Sequence, residues 1–170
     1  MRFLVDEVLF GDPKTVVGRT NQVTGQLLLD LKRPGQVEVS PIEINARDLT
    51  TDNSFRNRAI RSQILASNDD AFQFITFTPT EIDGLADVSI SFSKPVTFTI
   101  TGDLQIRDIT NPATFEMTAT AVSETELNGS GVATVLRSDY DLNIPSVVGV
   151  AGVSEEVRLE IDFVAIASEE

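Results

Sequence analysis

The chain contains no cysteine, no histidine and no tryptophan, and only one tyrosine, Tyr140. Lysine occurs only at positions 14, 32 and 94. Each absence removes a class of chemistry. Without cysteine no disulfide forms, so thiols say nothing of the compartment. Without thiolate or imidazole the usual zinc sites are excluded. The Ser-His-Asp and Cys-His nucleophilic arrangements are excluded as well. General acid–base chemistry near neutrality would need a strongly shifted carboxylate or lysine. Oxygen ligands could still hold a hard cation, but the scattered Asp and Glu have no calcium-loop spacing, so no metal site is expected.

Long apolar runs are also missing. No stretch approaches the roughly 18 residues that a membrane span needs. Met1 and Arg2 lead into Phe-Leu-Val-Asp-Glu, whose acids interrupt any signal-peptide pattern. The chain therefore reads as cytosolic, or as a mature domain whose export signal has been removed. Positive charge is scarce: the formal net charge is -13. That balance serves solubility and argues against nucleic acid, which needs a basic face. The length of 170 residues suggests a single domain, 1–170. Such a domain can bury a core or enclose a small cavity.

What is present is period-2 alternation. Val96-Thr-Phe-Thr-Ile-Thr101 alternates without error, and Val157-Arg-Leu-Glu-Ile-Asp-Phe163 puts charges on its second face. Each reads as an antiparallel strand with one buried and one wet face. Further strands are expected over 3–8, 23–31, 37–47, 72–78, 113–121 and 131–137. Turns are expected at Asp12-Pro13, Arg33-Pro34-Gly35, Asp83-Gly84, Thr110-Asn111-Pro112 and Asn128-Gly129. Many short strands at regular spacing suggest a sandwich or a barrel.

One segment breaks the pattern. Between Arg47 and Arg61 four arginines face two aspartates, a net +2 that leaves -15 for the rest of the chain. Asp52 or Ser54 can cap a helix start. Ile60 and Ile64 lie four apart, on one helical face. A helix of two to three turns is expected here, covering one end of the β structure.

Alternation assigns the inward faces. They carry Leu27, Leu29 and Leu31; Phe77; Val96, Phe98, Ile100, Leu104 and Ile106; Phe115, Met117 and Ala119; and Val157, Leu159, Ile161 and Phe163. A closed barrel of about eight strands can be filled by side chains or hold one small ligand. Periodicity alone does not choose between a filled core and a cavity.

Several segments, in order, resemble the YceI-like family. They are Val16-Val-Gly-Arg-Thr-Asn-Gln-Val-Thr-Gly25, Ile44-Asn-Ala-Arg-Asp-Leu-Thr-Thr-Asp-Asn53, Phe55-Arg-Asn-Arg58 and Phe74-Ile-Thr-Phe-Thr-Pro79. Thr101-Gly-Asp-Leu-Gln-Ile-Arg107, Pro112-Ala-Thr-Phe115, Leu136-Arg-Ser-Asp-Tyr140 and Val153-Ser-Glu-Glu-Val-Arg-Leu159 follow. The resemblance implies an all-β, lipocalin-like antiparallel barrel with one helix after the third or fourth strand. It also implies a polyisoprenoid or prenyl quinone inside the barrel, export to the periplasm or beyond, and no catalytic residue to carry over. Three departures stand out. The first-strand residues that members usually carry before the position of Phe3, behind a signal peptide, are missing, so the chain reads as a trimmed mature domain. The turn Arg107-Asp108-Ile109-Thr110 lacks the family's usual glycine, and Arg56-Asn57 lacks the usual acid.

Three functions follow as expectations. The first is binding of a long apolar isoprenoid lipid, with no other cofactor. Leu29, Phe77, Phe98, Ile100, Leu104, Phe115, Met117, Leu159, Ile161 and Phe163 would form the wall. Arg56, Arg58 or Arg61 would hold the head group, since guanidinium suits a carbonyl or a pyrophosphate. Pairing of these arginines with acids such as Asp48 and Asp52 is the alternative. The second is an enzyme acting on such a lipid through an inward carboxylate, for which Asp103 and Asp139 are candidates. The third is a packed stress-response barrel without a ligand. Oligomeric state, a dimer included, stays open.

Overall fold

The computed structural model describes residues 1–168. The chain runs β1 (Arg2–Leu9), β2 (Asp12–Arg19), β3 (Val23–Thr24), β4 (Leu27–Leu28), β5 (Glu38–Val39) and β6 (Ile42–Asn45). Helix α1 (Ser54–Ala59) and a π turn (Ile60–Ile64) come next. The rest is β7 (Phe74–Asp83), β8 (Pro95–Ile106), β9 (Ile109–Ala121), β10 (Glu126–Leu136), β11 (Val150–Ala151) and β12 (Glu156–Ile166).

The main sheet has the order β11-β1-β12-β10-β9-β8-β7-β6-β3, with β2 also paired to β1. Every pairing is antiparallel. The sheet curls back on itself. The chain of β2 continues into β3, which pairs with β6, and Arg19 bridges to Thr50. Counting β2 and β3 as one bent strand, the ring is β1, β2/β3, β6, β7, β8, β9, β10 and β12. This is the lipocalin-like barrel that the resemblance implies; alternation alone leaves a sandwich or a barrel open. Its seam lies between β2 and β6, where pairing is sparse.

Turn chemistry explains several differences from the expected boundaries. Asp12-Pro13 opens β2 instead of turning. The reversal is made by Phe10 (φ 51) and Gly11 (φ 94) just before it. Pro13 is tolerated at the start of a strand. Thr110-Asn111-Pro112 lies within β9, and Arg107-Asp108 makes a two-residue turn between Ile106 and Ile109. Arg107 takes the left-handed conformation (φ 58) where a glycine would fit more easily. Pro112 pairs with β8 only, because β10 meets β9 over 116–121. Its missing N–H therefore removes no ladder bond on that side.

Asn128-Gly129 is likewise no turn. Gly129 sits inside β10 opposite Phe163, whose ring lies across it so closely that a Cβ would overlap the ring. Gly102 in β8 similarly receives the Phe77 ring. The expected strand over 23–31 breaks into β3 and β4. Leu27 pairs with Val39 in a small two-stranded sheet, and Leu29 and Leu31 lie outside any strand.

The helix forms where expected, with a different cap. The Asn53 side chain accepts from Phe55 N (2.9 Å) and Arg56 N (3.2 Å). Asn53, and not Asp52 or Ser54, therefore satisfies the exposed donors of the first turn. Ile60 and Leu65 are buried and join Leu104, Ile106, Ala113 and Tyr140 in one core cluster. The helix thus closes the end of the barrel where β6, β8 and β10 finish and β7, β9 and β12 start.

Candidate functional site

The inward face is the natural place for an apolar ligand, and registers show which residues share it. Phe98 faces Met117, Ile100 faces Phe115, and Phe77 faces Leu104. Leu159 faces Ala133, Ile161 faces Gly131, and Phe163 faces Gly129. The Phe77 and Phe115 rings meet edge to face with centroids 5.0 Å apart. The structure thus brings nine of the ten expected wall residues onto one surface; Leu29 follows the satellite strand β4 and is not on it.

Burial along this surface is uneven. Towards the helix, Leu104, Ile106, Ala113, Phe115, Ala133 and Leu159 are buried. Towards the other end Val96, Phe98, Leu127, Ile161 and Phe163 are only half-buried although they point inward. Burial is thus more complete towards the helix, while at the far end these five half-buried side chains sit beside the buried Met117 and Ala121. Two shallow grooves of about 440 and 570 Å³ run along β8–β9–β10–β12. They share the outward Thr118 and Ser130, and Gly129 and Phe163 border one while Phe98 and Met117 border the other.

The arginines separate into distinct environments. Arg56 Nη2 lies 2.6 Å from Glu7 Oε1, and its Nη1 lies 2.7 Å from Asp52 Oδ1. Lys14 Nζ also reaches Asp52, at 2.6 Å. The Lys14 hydrogen bond, and then its charge and that of Arg56, hold the Asp52 carboxyl below the usual range. Arg58 is exposed, with its guanidinium 6.0 Å from the centre of the exposed Phe55 ring. Arg61 sits in the π turn, half-buried, and its Nε–H is enclosed without an acceptor. Arg47 donates to the carbonyls of Ser67 and Asn68, to Gln73 and to Asp70.

The candidate acids do not face the interior. Asp103 lies on β8 between the inward Gly102 and Leu104, so its exposed side chain points out. Asp139 is exposed, and its backbone carbonyl accepts from Asn111 Nδ2 at 2.6 Å. Among the described residues the buried carboxylate is Glu7, and Arg56 neutralises it. Among the described residues no group of three Asp or Glu could hold a metal ion.

Sequence reasoning missed Glu7, Ser67, Arg107 and Tyr140. Tyr140 is 1% exposed and its hydroxyl has no partner. Burial, and then the charge of Asp139, push its pKa up to about 12. It therefore stays a neutral O–H donor at ordinary pH. Its uniqueness in a chain without tryptophan or histidine was the one available signal.

A curled antiparallel sheet capped by one short helix, apolar inside and polar outside, defines a lipocalin-like barrel. The YceI-like domain family matches residues 1–165, and the chain belongs to that family. No curated protein sequence matches it. The fold is similar to the YceI protein of Campylobacter jejuni (14% identity, 89% of this chain and 85% of that one, TM-score 0.70). It is also similar to BcnA of Burkholderia cenocepacia (16% identity, 96% of each chain, TM-score 0.69). A third similar structure is a polyisoprenoid-binding domain from Saccharophagus degradans implicated in plant cell wall breakdown (12% identity, 98% of this chain and 94% of that one, TM-score 0.72). Among the described residues no helix is long and apolar enough to cross a membrane.

Proposed function

We propose that this protein binds a long apolar isoprenoid lipid, a polyprenyl chain or prenyl quinone, against the inward face of its barrel, as a carrier and without catalysis. The observation that carries this reading is the row of inward yet half-buried apolar side chains: Val96, Phe98, Leu127, Ile161 and Phe163. Side chains that point inward and still meet water leave apolar surface for a ligand to cover. Each methylene buried there contributes about 0.8 kcal/mol. Covering some ten of them gives about 8 kcal/mol before the entropy of association is subtracted. The polyisoprenoid-binding domain of like fold supports the same lipid class. Family membership supports a periplasmic or secreted setting. The outward Asp103 and Asp139 offer an enzymatic reading no acid inside the barrel, and Glu7, which shares the inward face of β1 with Phe3 and Val5, is already paired with Arg56.

A packed barrel without ligand is the second reading, and the more complete burial towards the helix favours it. Organic extraction of protein purified from its native host, followed by mass spectrometry, separates the two. A stoichiometric prenyl lipid is the expected result. Absence of any lipid, together with no displacement of a hydrophobic dye by added prenyl quinone, would leave the packed barrel.

A further inference from the structure

Four buried side-chain polar atoms of the described residues have no hydrogen-bond partner: Arg61 Nε, Ser67 Oγ, Arg107 Nε and Tyr140 OH. All four carry a hydrogen to donate. All four also come from the same end of the barrel. Arg61 is in the π turn after β6, and Ser67 is in the connection to β7. Arg107 is the β8–β9 turn, and Tyr140 closes the short helical turn after β10. Ile60, Leu65, Ile106 and Tyr140 belong to one buried cluster, which ties these segments together beneath the helix.

Orphaned donors in a folded interior are rare and call for an explanation. Here the acids cannot supply one. Asp69, Asp70, Asp108 and Asp139 at this end are all exposed, and Asp70 already accepts from Arg47. Tyr140 and Ser67 are 1% and 0% exposed, so open solvent does not reach them either. The backbone around them is irregular. The five-residue π turn replaces the last turn of the helix, and Ala66 takes a left-handed φ of 51. Both features tend to mark functional segments.

We infer that the helix-capped end is a subsite for an oxygen acceptor on the ligand, a carbonyl or a phosphate oxygen, read by the Tyr140 hydroxyl with Arg61, Arg107 and Ser67 contributing donors. The inference rests on the carrier reading above, because the acceptor is the polar end of the bound lipid. It moves the head-group role from Arg56, which two carboxylates already occupy, to donors that lack a partner. A neutral phenol suits the task, since it donates without adding a second buried charge.

Titration calorimetry of the whole protein with three probes tests this: a benzoquinone with a short prenyl tail, farnesyl diphosphate, and squalene, which has no acceptor. For Tyr140→Phe the expected result is a loss of about threefold to tenfold in affinity for the acceptor-bearing probe, the worth of one neutral hydrogen bond. Squalene affinity should not change. Whichever of the quinone and the diphosphate weakens identifies the oxygen. Unchanged affinity for both, or an equal loss for squalene, would overturn the subsite and leave the carrier intact. Failure of wild-type protein to bind all three would overturn the carrier and the subsite with it. The sole tyrosine gives a second readout that needs no variant. Its near-ultraviolet absorption should shift when the acceptor-bearing probe binds and stay still with squalene; a shift with neither probe counts against the subsite.

Discussion

Arg56 of the helix and Glu7 of β1 are joined at 2.6 Å, with Glu7 only 7% exposed. The partners are 49 residues apart in sequence, so this contact fastens the cap to β1. Removing one member leaves a buried charge unpaired, which costs about 3–5 kcal/mol. Arg56→Ala should therefore lower the urea midpoint far more than Asp52→Ala. Asp52 is exposed, and such pairs contribute roughly 0–1 kcal/mol. Equal effects of the two substitutions would show that the cap is not held by Glu7.

The single tyrosine makes an optical titration unambiguous. With no tryptophan present, phenolate absorption reports Tyr140 alone. In the folded protein its midpoint should lie near 12, against about 10 in urea. The folded pKa is the higher one, so the folded state holds the proton more tightly. Its contribution to stability is complete below pH 10 and is lost as pH rises from 10 to 12. Stability should fall across that window by about 2–3 kcal/mol, and Tyr140→Phe should remove the dependence.

The opposite sign applies at acid pH. Asp52 and Glu160 are held below their ordinary values, chiefly by hydrogen bonds from Lys14 and from Arg158 with Arg2 respectively. Their contribution is present above the ordinary carboxylate pKa and disappears as pH drops through the folded values. Thermal stability should decline below about pH 4, and 1 M salt should weaken the Asp52 part of that decline, because Asp52 is exposed whereas Glu160 is half-buried.

Gly129 accommodates the Phe163 ring and cannot take a methyl group without moving it. Gly129→Ala should cost about 1–3 kcal/mol, as overpacking does. The loss should shrink in Gly129→Ala combined with Phe163→Leu, measured by chemical denaturation. Additive losses would mean that ring and glycine do not press on each other.

The helix start offers a local test. Asn53 accepts from two backbone N–H groups, so Asn53→Ala should destabilise by about 1 kcal/mol. Ser54→Ala, at a position that accepts no capping bond, should be nearly silent.

Much of this architecture is legible in the residues. Alternation in 96–101 and 157–163 marks β8 and β12 and assigns Phe98, Ile100, Leu159, Ile161 and Phe163 to the inside. A strand's side chains can only alternate, so one buried face fixes the other. The helix is equally visible, from Ile60 and Ile64 among arginines. The turns are less so. Pro13, Pro112 and Gly129 read as breakers, yet they lie within strands. Pro13 opens its strand, Pro112 has a partner on one side only, and Gly129 makes room for a ring.

Composition alone settled that thiolate and imidazole chemistry is closed to this chain, because both need side chains it does not have. Its periodicity settled the fold class, because local geometry dictates which residues share a face. Tertiary structure decided which arginine is taken and which is left. Arg56 and Arg61 sit five positions apart with the same chemistry, and nothing local distinguishes them. Only closure of the barrel puts Glu7 beside one and leaves the buried Nε of the other without an acceptor. Long-range pairing also decided that Tyr140 and Ser67 are sealed under the cap. Burial depends on what distant segments cover, and a residue's neighbours in sequence do not record it.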